Sequence, residues 1–148
     1  MAKILIAEPD GKTRRLIGAT LADLGHELAE ANTARAALEV VREKRPDLIV
    51  LDVATPGMGG WDFIRELRRV GGPAARILML TARSSESDFL HGWRLGVDEF
   101  MTKPFDPEEL AIAVNETLMM TPEQIREKRR RELEKAQLLS RIEAAFDE

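Results

Sequence analysis

Four short apolar runs recur along the chain, at residues 3–7, 48–51, 77–80 and 99–102, and residues 28–31 form a further short segment of the same kind. The run at 48–51 is apolar at every position, which is typical of a central parallel strand covered by helices on both faces. Longer segments with helical spacing separate the runs. The pattern therefore predicts five strands, each followed by a helix, and so an α/β domain.

The segments between the runs carry start and stop signals for helices. Asp10, Thr33 and Asp106 are suited to cap helix N-termini, because their side chains can accept backbone N–H groups. Gly25 and Pro46 are suited to end two of the helices. The predicted helices span approximately residues 10–24, 33–44, 61–70, 84 or 85 to 95, and 106–119. The first of them is expected to turn four apolar residues inward: Leu16, Ile17, Leu21 and Leu24.

Composition narrows the functional classes. The 148 residues are enough for one domain with its own core, and the absence of Cys excludes disulfides, thiolate catalysis and Cys-ligated zinc. With no charged-then-apolar leader and no long apolar stretch, we expect a cytoplasmic protein that does not enter a membrane. The net charge is −4, and the acidic excess lies within residues 1–120, which argues against nucleic acid as a partner.

Residues 121–148 read as a separate helix that begins at Thr121-Pro122 and runs to Phe146 without Gly or further Pro. The basic run at 128–131 is flanked by glutamates, which favours a solvated, self-paired helix face over a nucleic-acid contact. A partial apolar stripe accompanies it: Ile125, Leu133, Leu138, Leu139, Ile142 and Phe146. We therefore divide the chain into a domain at 1–120 and a charged helical tail at 121–148, which acts in dimerisation, as a relay or as a truncated linker.

A different polar group follows each of the four apolar runs: Glu8, Asp52, Thr81 and Lys103. Because the carboxyl ends of parallel strands lie at one edge of the sheet, we expect two carboxylates, a hydroxyl and an ammonium group to meet there. This combination suits a phosphoryl group and its metal ion.

These four positions, together with Pro104, the Pro56-Gly57 pair and the segment 96–100, resemble the receiver domain of two-component response regulators. The resemblance covers roughly residues 3–119. It implies a flavodoxin-like fold, in which a five-stranded parallel sheet has the order 2-1-3-4-5 and helices cover both faces.

The resemblance also implies roles for individual residues. Asp52 would accept a phosphoryl group from the phosphohistidine of a histidine kinase, with Mg2+ held by Asp52, an acidic residue of the first loop and the Ala54 carbonyl. Thr81 and Lys103 would bind phosphoryl oxygens, and the Lys103-Pro104 peptide would be cis. Phe100 occupies the position of the family's switch aromatic and would move together with Thr81.

One position departs from the family pattern. Receivers usually have two adjacent acids after the first strand, whereas this chain has Glu8-Pro9. Mg2+ would then be held by Glu8, by Asp10, or more loosely through water. Asp10 has a second interpretation, in which it only caps the first helix.

Two functions compete within this fold. The first is a phosphorylation-switched module that accepts its phosphoryl group from a histidine kinase or phosphotransfer protein and acts on a downstream protein partner. The second is a degenerate receiver that never takes phosphate and acts by constitutive association, a reading that Pro9 favours. Residues 4–13 also faintly resemble the haloacid dehalogenase phosphatase motif, but Glu8 stands in place of its Asp nucleophile. We therefore expect no enzymatic activity beyond self-phosphorylation and self-dephosphorylation.

No winged-helix, helix-turn-helix or cyclase segment follows Met120. Output is therefore expected to come from partner binding, from the tail or from sequence outside the chain. Phosphorylation would remodel the face formed by the fourth helix, fifth strand and fifth helix, and a homodimer would form through that face or through the tail.

Overall fold

The computed structural model describes residues 1–72, 74–82 and 86–147, without the side chains of residues 86 and 87. Five strands and five helices alternate along this part of the chain, and a sixth helix follows the fifth. The strands are β1 (Lys3–Ala7), β2 (Glu27–Ala31), β3 (Leu48–Asp52), β4 (Arg76–Thr81) and β5 (Glu99–Thr102). The helices are α1 (Gly11–Asp23), α2 (Ala34–Lys44), α3 (Gly60–Gly71), α4 (Glu86–Leu95), α5 (Pro107–Met119) and α6 (Pro122–Asp147).

The five strands form one parallel sheet in the order β2-β1-β3-β4-β5, which confirms the predicted fold class. All five residues of β3 are buried, as the unbroken apolar run predicts. Two apolar layers enclose the sheet. One centres on α2 and α3 and includes Phe63 and Leu67, and the other centres on α1 and α5 and includes Ile17 and Leu110. The sheet is therefore covered on both faces, and its strand ends are left for the site.

The helix starts follow the predicted caps. The side chains of Asp10, Thr33 and Asp106 accept backbone N–H groups from the first turns of α1, α2 and α5. The inward stripe of α1 is narrower than predicted, because Leu16 and Leu24 are exposed while Ile17 and Leu21 are buried. The predicted start of the fourth helix at Ser84 or Ser85 lies outside the described residues.

The charged tail does not stand apart from the domain, because α6 packs along α4 and beside β5. Its buried residues are Ile125 and Ala136, and Leu138, Ile142 and Phe146 of the predicted apolar stripe are exposed. Arg76 of β4 also donates to the carbonyl of Met120, 2.8 Å away, at the junction with α5. None of the described helices has the length and apolar character needed to cross a membrane.

The sequence predicted that the basic residues at 128–131 pair with glutamates of the same helix. This prediction is correct for one residue and wrong for two. Arg130 pairs with Glu127 and Glu134 on the same helix. Lys128 instead binds Glu99, with Nζ 2.6 Å from Oε2, and Arg129 binds Asp98. Both carboxylates lie at the start of β5, so packing brings together charges that are distant in the sequence.

Candidate functional site

The sheet brings all four of the predicted groups to one edge. Asp52 and Thr81 are the last residues of β3 and β4, whereas Glu8 and Lys103 directly follow β1 and β5. Glu8, Asp52 and Thr81 are all buried, with 1%, 8% and 3% of their surface exposed. Both carboxylates contact Lys103, and the Lys103 amide donates to the Thr81 carbonyl at 2.8 Å.

Lys103 is the centre of the cluster. Its Nζ lies 2.5 Å from Asp52 Oδ2 and also donates to Glu8 Oε1. Burial opposes the charged form of Lys103, but the hydrogen bonds to Asp52 and Glu8 together outweigh it, so the pKa of Lys103 is raised above its ordinary value. The ammonium group therefore stays charged and offsets the repulsion between two carboxylates. The Lys103-Pro104 peptide bond is cis.

The second oxygen of Asp52 is held by the loop that follows β3. Its Oδ1 accepts the Ala54 amide at 2.6 Å. Thr55 fixes this loop, since its buried hydroxyl donates to the carbonyls of Asp52 and Ala7, at 2.7 and 3.2 Å. The carboxylate is thus aimed by backbone geometry on one side and by an ammonium group on the other.

Thr81 lines a cavity of about 250 Å³ beside Asp52. Ala54, Trp61, Met79 and Asp88 contribute to its walls. Trp61 meets the ring of His91 edge to face, with centroids 4.5 Å apart. The cavity reaches the end of β4 at Thr81 and the loop that follows Asp52, and residues of α3 and α4 line it.

Asp10 does not join the cluster. Its Oδ2 accepts from both the amide and the hydroxyl of Thr13, at 2.9 and 2.6 Å, as expected of a helix cap. The pKa of Asp10 is lowered, chiefly by the hydrogen bond from the Thr13 hydroxyl. Of the two candidate acids in the first loop, Glu8 alone binds Lys103.

The carboxylates at the strand ends form a sparse donor set for Mg2+. Within the described residues, no group of three or more His, Cys, Asp or Glu side chains is placed to hold a metal. Mg2+ is commonly held by one or two carboxylates, with water and phosphate oxygens completing its shell. Glu8 and Asp52, which share one ammonium group, fit this sparser set.

Phe100 packs tightly under α4. Its ring meets Phe89 and Trp93 edge to face, each with centroids 5.0 Å apart. It also lies against Gly92, where a Cβ atom would stand 2.3 Å from Phe100 Cζ. Phe100 therefore fills a position that only a glycine on α4 can leave open.

Sequence reasoning missed a buried charge network at the other end of β5. Asp98 accepts from Arg68 at 3.2 Å, from the Ile77 amide at 2.9 Å and from Arg129 of α6. Arg68 also binds the carbonyls of Gly96 and Ala75. Burial lowers the pKa of Arg68, although Asp98 opposes this shift. The available signal was the i, i+4 spacing of Arg129 after the buried Ile125.

Comparisons with known proteins agree with this architecture. Residues 4–115 match the family model described as the response regulator receiver domain. The phosphate regulon transcriptional regulatory protein PhoB of Pseudomonas aeruginosa is 36% identical over 122 residues, which cover 80% of this chain and 52% of PhoB. The DNA-binding response regulator MtrA of Mycobacterium tuberculosis is 34% identical over 145 residues, or 98% of this chain and 58% of MtrA.

A solved structure shows the same fold. The chemotaxis response regulator CheY4 of Vibrio cholerae superposes with a TM-score of 0.70 at 30% identity, covering 79% of this chain and 98% of CheY4. The chain belongs to the response regulator receiver domain family, and so to two-component signal transduction. The chain spans 52% of the length of PhoB and 58% of the length of MtrA, so it matches little more than half of each relative.

Proposed function

We propose that this receiver accepts a phosphoryl group on Asp52 from the phosphohistidine of a histidine kinase or phosphotransfer protein, and that the new charge switches its partner-binding face. The observation that carries the proposal is the buried cluster of Glu8, Lys103 and Asp52 at the edge of the sheet. A carboxylate held between an amide and an ammonium group is aimed for attack and already partly neutralised.

Phosphoryl transfer to Asp52 breaks one bond and forms one. The N–P bond of the donor imidazole breaks as a carboxylate oxygen of Asp52 forms the new O–P bond. Lys103 stays charged throughout and pairs with a phosphoryl oxygen, and Thr81 supplies its hydroxyl to another. Glu8, Asp52 and the Ala54 carbonyl are the groups that would hold Mg2+, which offsets the repulsion between the carboxylate and the incoming phosphoryl group.

The test uses a small phosphodonor. The full chain is incubated with acetyl phosphate and Mg2+, and intact mass spectrometry measures the gain of one phosphoryl group. Asp52→Asn should abolish the gain. Asp62→Asn, which changes an exposed aspartate of α3 that pairs with Arg65, should leave it intact and serves as the matched control. Failure of the wild-type chain to gain mass would contradict the proposal, as would equal gains in the wild-type chain and Asp52→Asn.

A second candidate is a receiver that acts without phosphate. Pro9 and the capping role of Asp10 favour it, because they leave two carboxylates for the metal. This candidate predicts no mass gain under the same conditions. It also predicts that the wild-type chain and Asp52→Asn bind the downstream protein partner equally tightly. Partner capture by both proteins, compared side by side, separates the two candidates.

The tail is proposed to support a homodimer. Leu138, Ile142 and Phe146 lie on successive turns of α6 and are exposed, so they offer an apolar stripe to a second copy. Sedimentation of the full chain should give a dimer mass that Ile142→Gln lowers toward the monomer. Equal masses for the two proteins would count against dimerisation through this stripe.

Other aspects of the function rest on the family and the sequence. We propose a cytoplasmic signalling domain with no enzymatic activity beyond gaining and losing its own phosphoryl group. We do not expect residues 1–148 to contact nucleic acid directly. Their net charge is −4, and two of the basic residues on α6 bind carboxylates of the domain. The names of PhoB and MtrA describe transcriptional and DNA-binding regulators, and each is longer than this chain.

A further inference from the structure

Helix α6 covers one face of the receiver, here called the α4–β5 face and formed by Trp93, Asp98, Glu99 and Phe100. Two charges of α6 anchor it there. Arg129 reaches the carboxylate of Asp98, whose side chain is 1% exposed, and Lys128 binds Glu99 at 2.6 Å. Lys128 also lies 5.9 Å from the centre of the Trp93 ring. A carboxylate this deeply buried holds its partner far more firmly than a surface pair does.

The same helix closes off the surroundings of Phe100. A cavity of about 210 Å³ lies between α4, β5 and α6, with Phe89, Trp93 and Phe100 on one side and Glu132, Lys135 and Ala136 of α6 on the other. The position of Phe100 therefore depends on two walls, α4 and α6. If Phe100 leaves this position, the wall that the cavity presents to Ala136 of α6 changes.

Strand β5 joins this face to the phosphoryl-acceptor cluster. Asp98 and Glu99 hold α6 at its start, Phe100 follows, and Lys103 lies just past its end. Since β5 lies at the edge of the sheet and pairs only with β4, it has fewer constraints than a central strand. Lys103 is thus only a few residues along the chain from Asp98 and Glu99, which anchor α6. A change in the partners of Lys103 occurs close to these anchors.

We infer that α6 is an intramolecular latch on the α4–β5 face, and that its docking and the phosphorylation of Asp52 oppose each other. This inference rests on the proposed function. Phosphorylation adds roughly one to two negative charges beside Lys103 and draws that side chain to the phosphoryl group. Because coupling between two sites is reciprocal, a modification that loosens α6 is itself favoured when α6 is loose.

The experiment compares four proteins that each contain residues 1–148: wild type, Arg129→Ala, Arg130→Ala and Lys128→Ala. Arg129→Ala removes the buried anchor but leaves Asp98 paired with Arg68 and the Ile77 amide, so the fold is retained. Arg130→Ala removes a charge of the same helix that pairs only with Glu127 and Glu134 among the described contacts, and is the matched control. Lys128→Ala, at the rim of the same face, provides a second anchor variant.

Two quantities are measured at fixed concentrations of acetyl phosphate and Mg2+: the plateau ratio of phosphorylated to unphosphorylated protein, and amide hydrogen exchange in residues 125–136 relative to α2. Phosphorylation of the wild type should speed exchange in residues 125–136 by about 5-fold or more. Arg129→Ala should show that faster exchange before phosphorylation, and its plateau ratio of phosphorylated to unphosphorylated protein should be about 5-fold higher or more. Arg130→Ala should behave as the wild type in both.

The outcomes separate the latch from the function on which it rests. If Asp52 is phosphorylated but exchange in residues 125–136 does not change, the latch is wrong and the proposed function stands. Equal plateau ratios of phosphorylated to unphosphorylated protein for Arg129→Ala and Arg130→Ala would also overturn the latch. If no protein gains a phosphoryl group, both inferences fail together.

Discussion

The backbone of Gly92 on α4 lies directly against the ring of Phe100 on β5, where a Cβ atom would stand 2.3 Å from Cζ and 3.0 Å from Cε1. Ala is favoured over Gly in a helix by about 1 kcal/mol, so Gly92→Ala should stabilise the protein if space allowed it. We expect the opposite, a loss of about 1–3 kcal/mol in the free energy of unfolding, because Phe89 and Trp93 confine the ring. Urea unfolding measures the change.

Gly18 on α1 provides the control for this prediction. The nearest atoms to a Cβ at Gly18 are 3.7 and 4.0 Å away, in ordinary contact. Gly18→Ala should therefore raise the free energy of unfolding by about 0.5–1 kcal/mol. Equal effects of the two substitutions would show that Phe100 is not confined by α4.

Asp98 is expected to be among the most sensitive positions in the chain. Asp98→Ala leaves the guanidinium groups of Arg68 and Arg129 without their shared carboxylate and the Ile77 amide without its acceptor. Breaking such a buried pair costs about 3–5 kcal/mol, which is a large part of the stability of a domain. Urea unfolding tests this, and a loss below about 1 kcal/mol, the size typical of surface pairs, would contradict the buried network.

The metal ligand of the first loop can be identified with two isosteric substitutions. Glu8→Gln should raise the Mg2+ concentration that gives half-maximal phosphorylation by about 10-fold or more, because it removes one of two carboxylates. Asp10→Asn should leave that concentration unchanged, since Asn caps a helix as well as Asp does. The rate of mass gain is measured across a Mg2+ titration. The reverse pattern would assign the metal to Asp10.

His26 makes stability depend on pH. Its Nδ1 accepts the Ala2 amide at 3.2 Å, and among the described residues no group pairs with its buried Nε2. Burial lowers the pKa of His26 below 6.5, with a smaller contribution from the N-terminal ammonium group. As the pH falls below the unfolded pKa, the unfolded chain takes up the proton first, so stability decreases until the pH reaches the folded pKa.

The check is urea unfolding at about pH 7.5 and about pH 5.5, since most carboxylates titrate below that interval. His26→Asn offers an acceptor near the position of Nδ1 without a titrating ring, and should lose less stability than the wild type over this interval. An equal loss in the two proteins would exclude His26 as a source of the pH dependence.

Local signals were sufficient to predict the alternation of strands and helices, whereas the strand order came from the resemblance to receiver domains. The apolar run of β3 and the caps at Asp10, Thr33 and Asp106 each depend on neighbouring residues only. The meeting of Glu8, Asp52 and Lys103 also followed from the sequence, because parallel strands place their carboxyl ends at one edge.

The docking of α6 could not be predicted in the same way. Nearby glutamates offered Lys128 and Arg129 plausible partners on the same helix, and that local pairing is what Arg130 adopts. The actual partners, Asp98 and Glu99, lie about 30 positions away and come into reach only when α6 turns back along α4. Ile125 and Ala136 are buried where α6 docks, whereas the more apolar stripe that ends at Phe146 is exposed.

Only Met120 and Thr121 connect α5 to α6, and α6 is 26 residues long. Such a helix measures about 39 Å, so a pivot of roughly 20° at this short joint would carry its far end through about 13 Å. A much smaller displacement at β5 would therefore give a large displacement at the far end of α6. Anything fastened beyond Phe146 would sweep through a wide arc even if the sheet itself barely shifted.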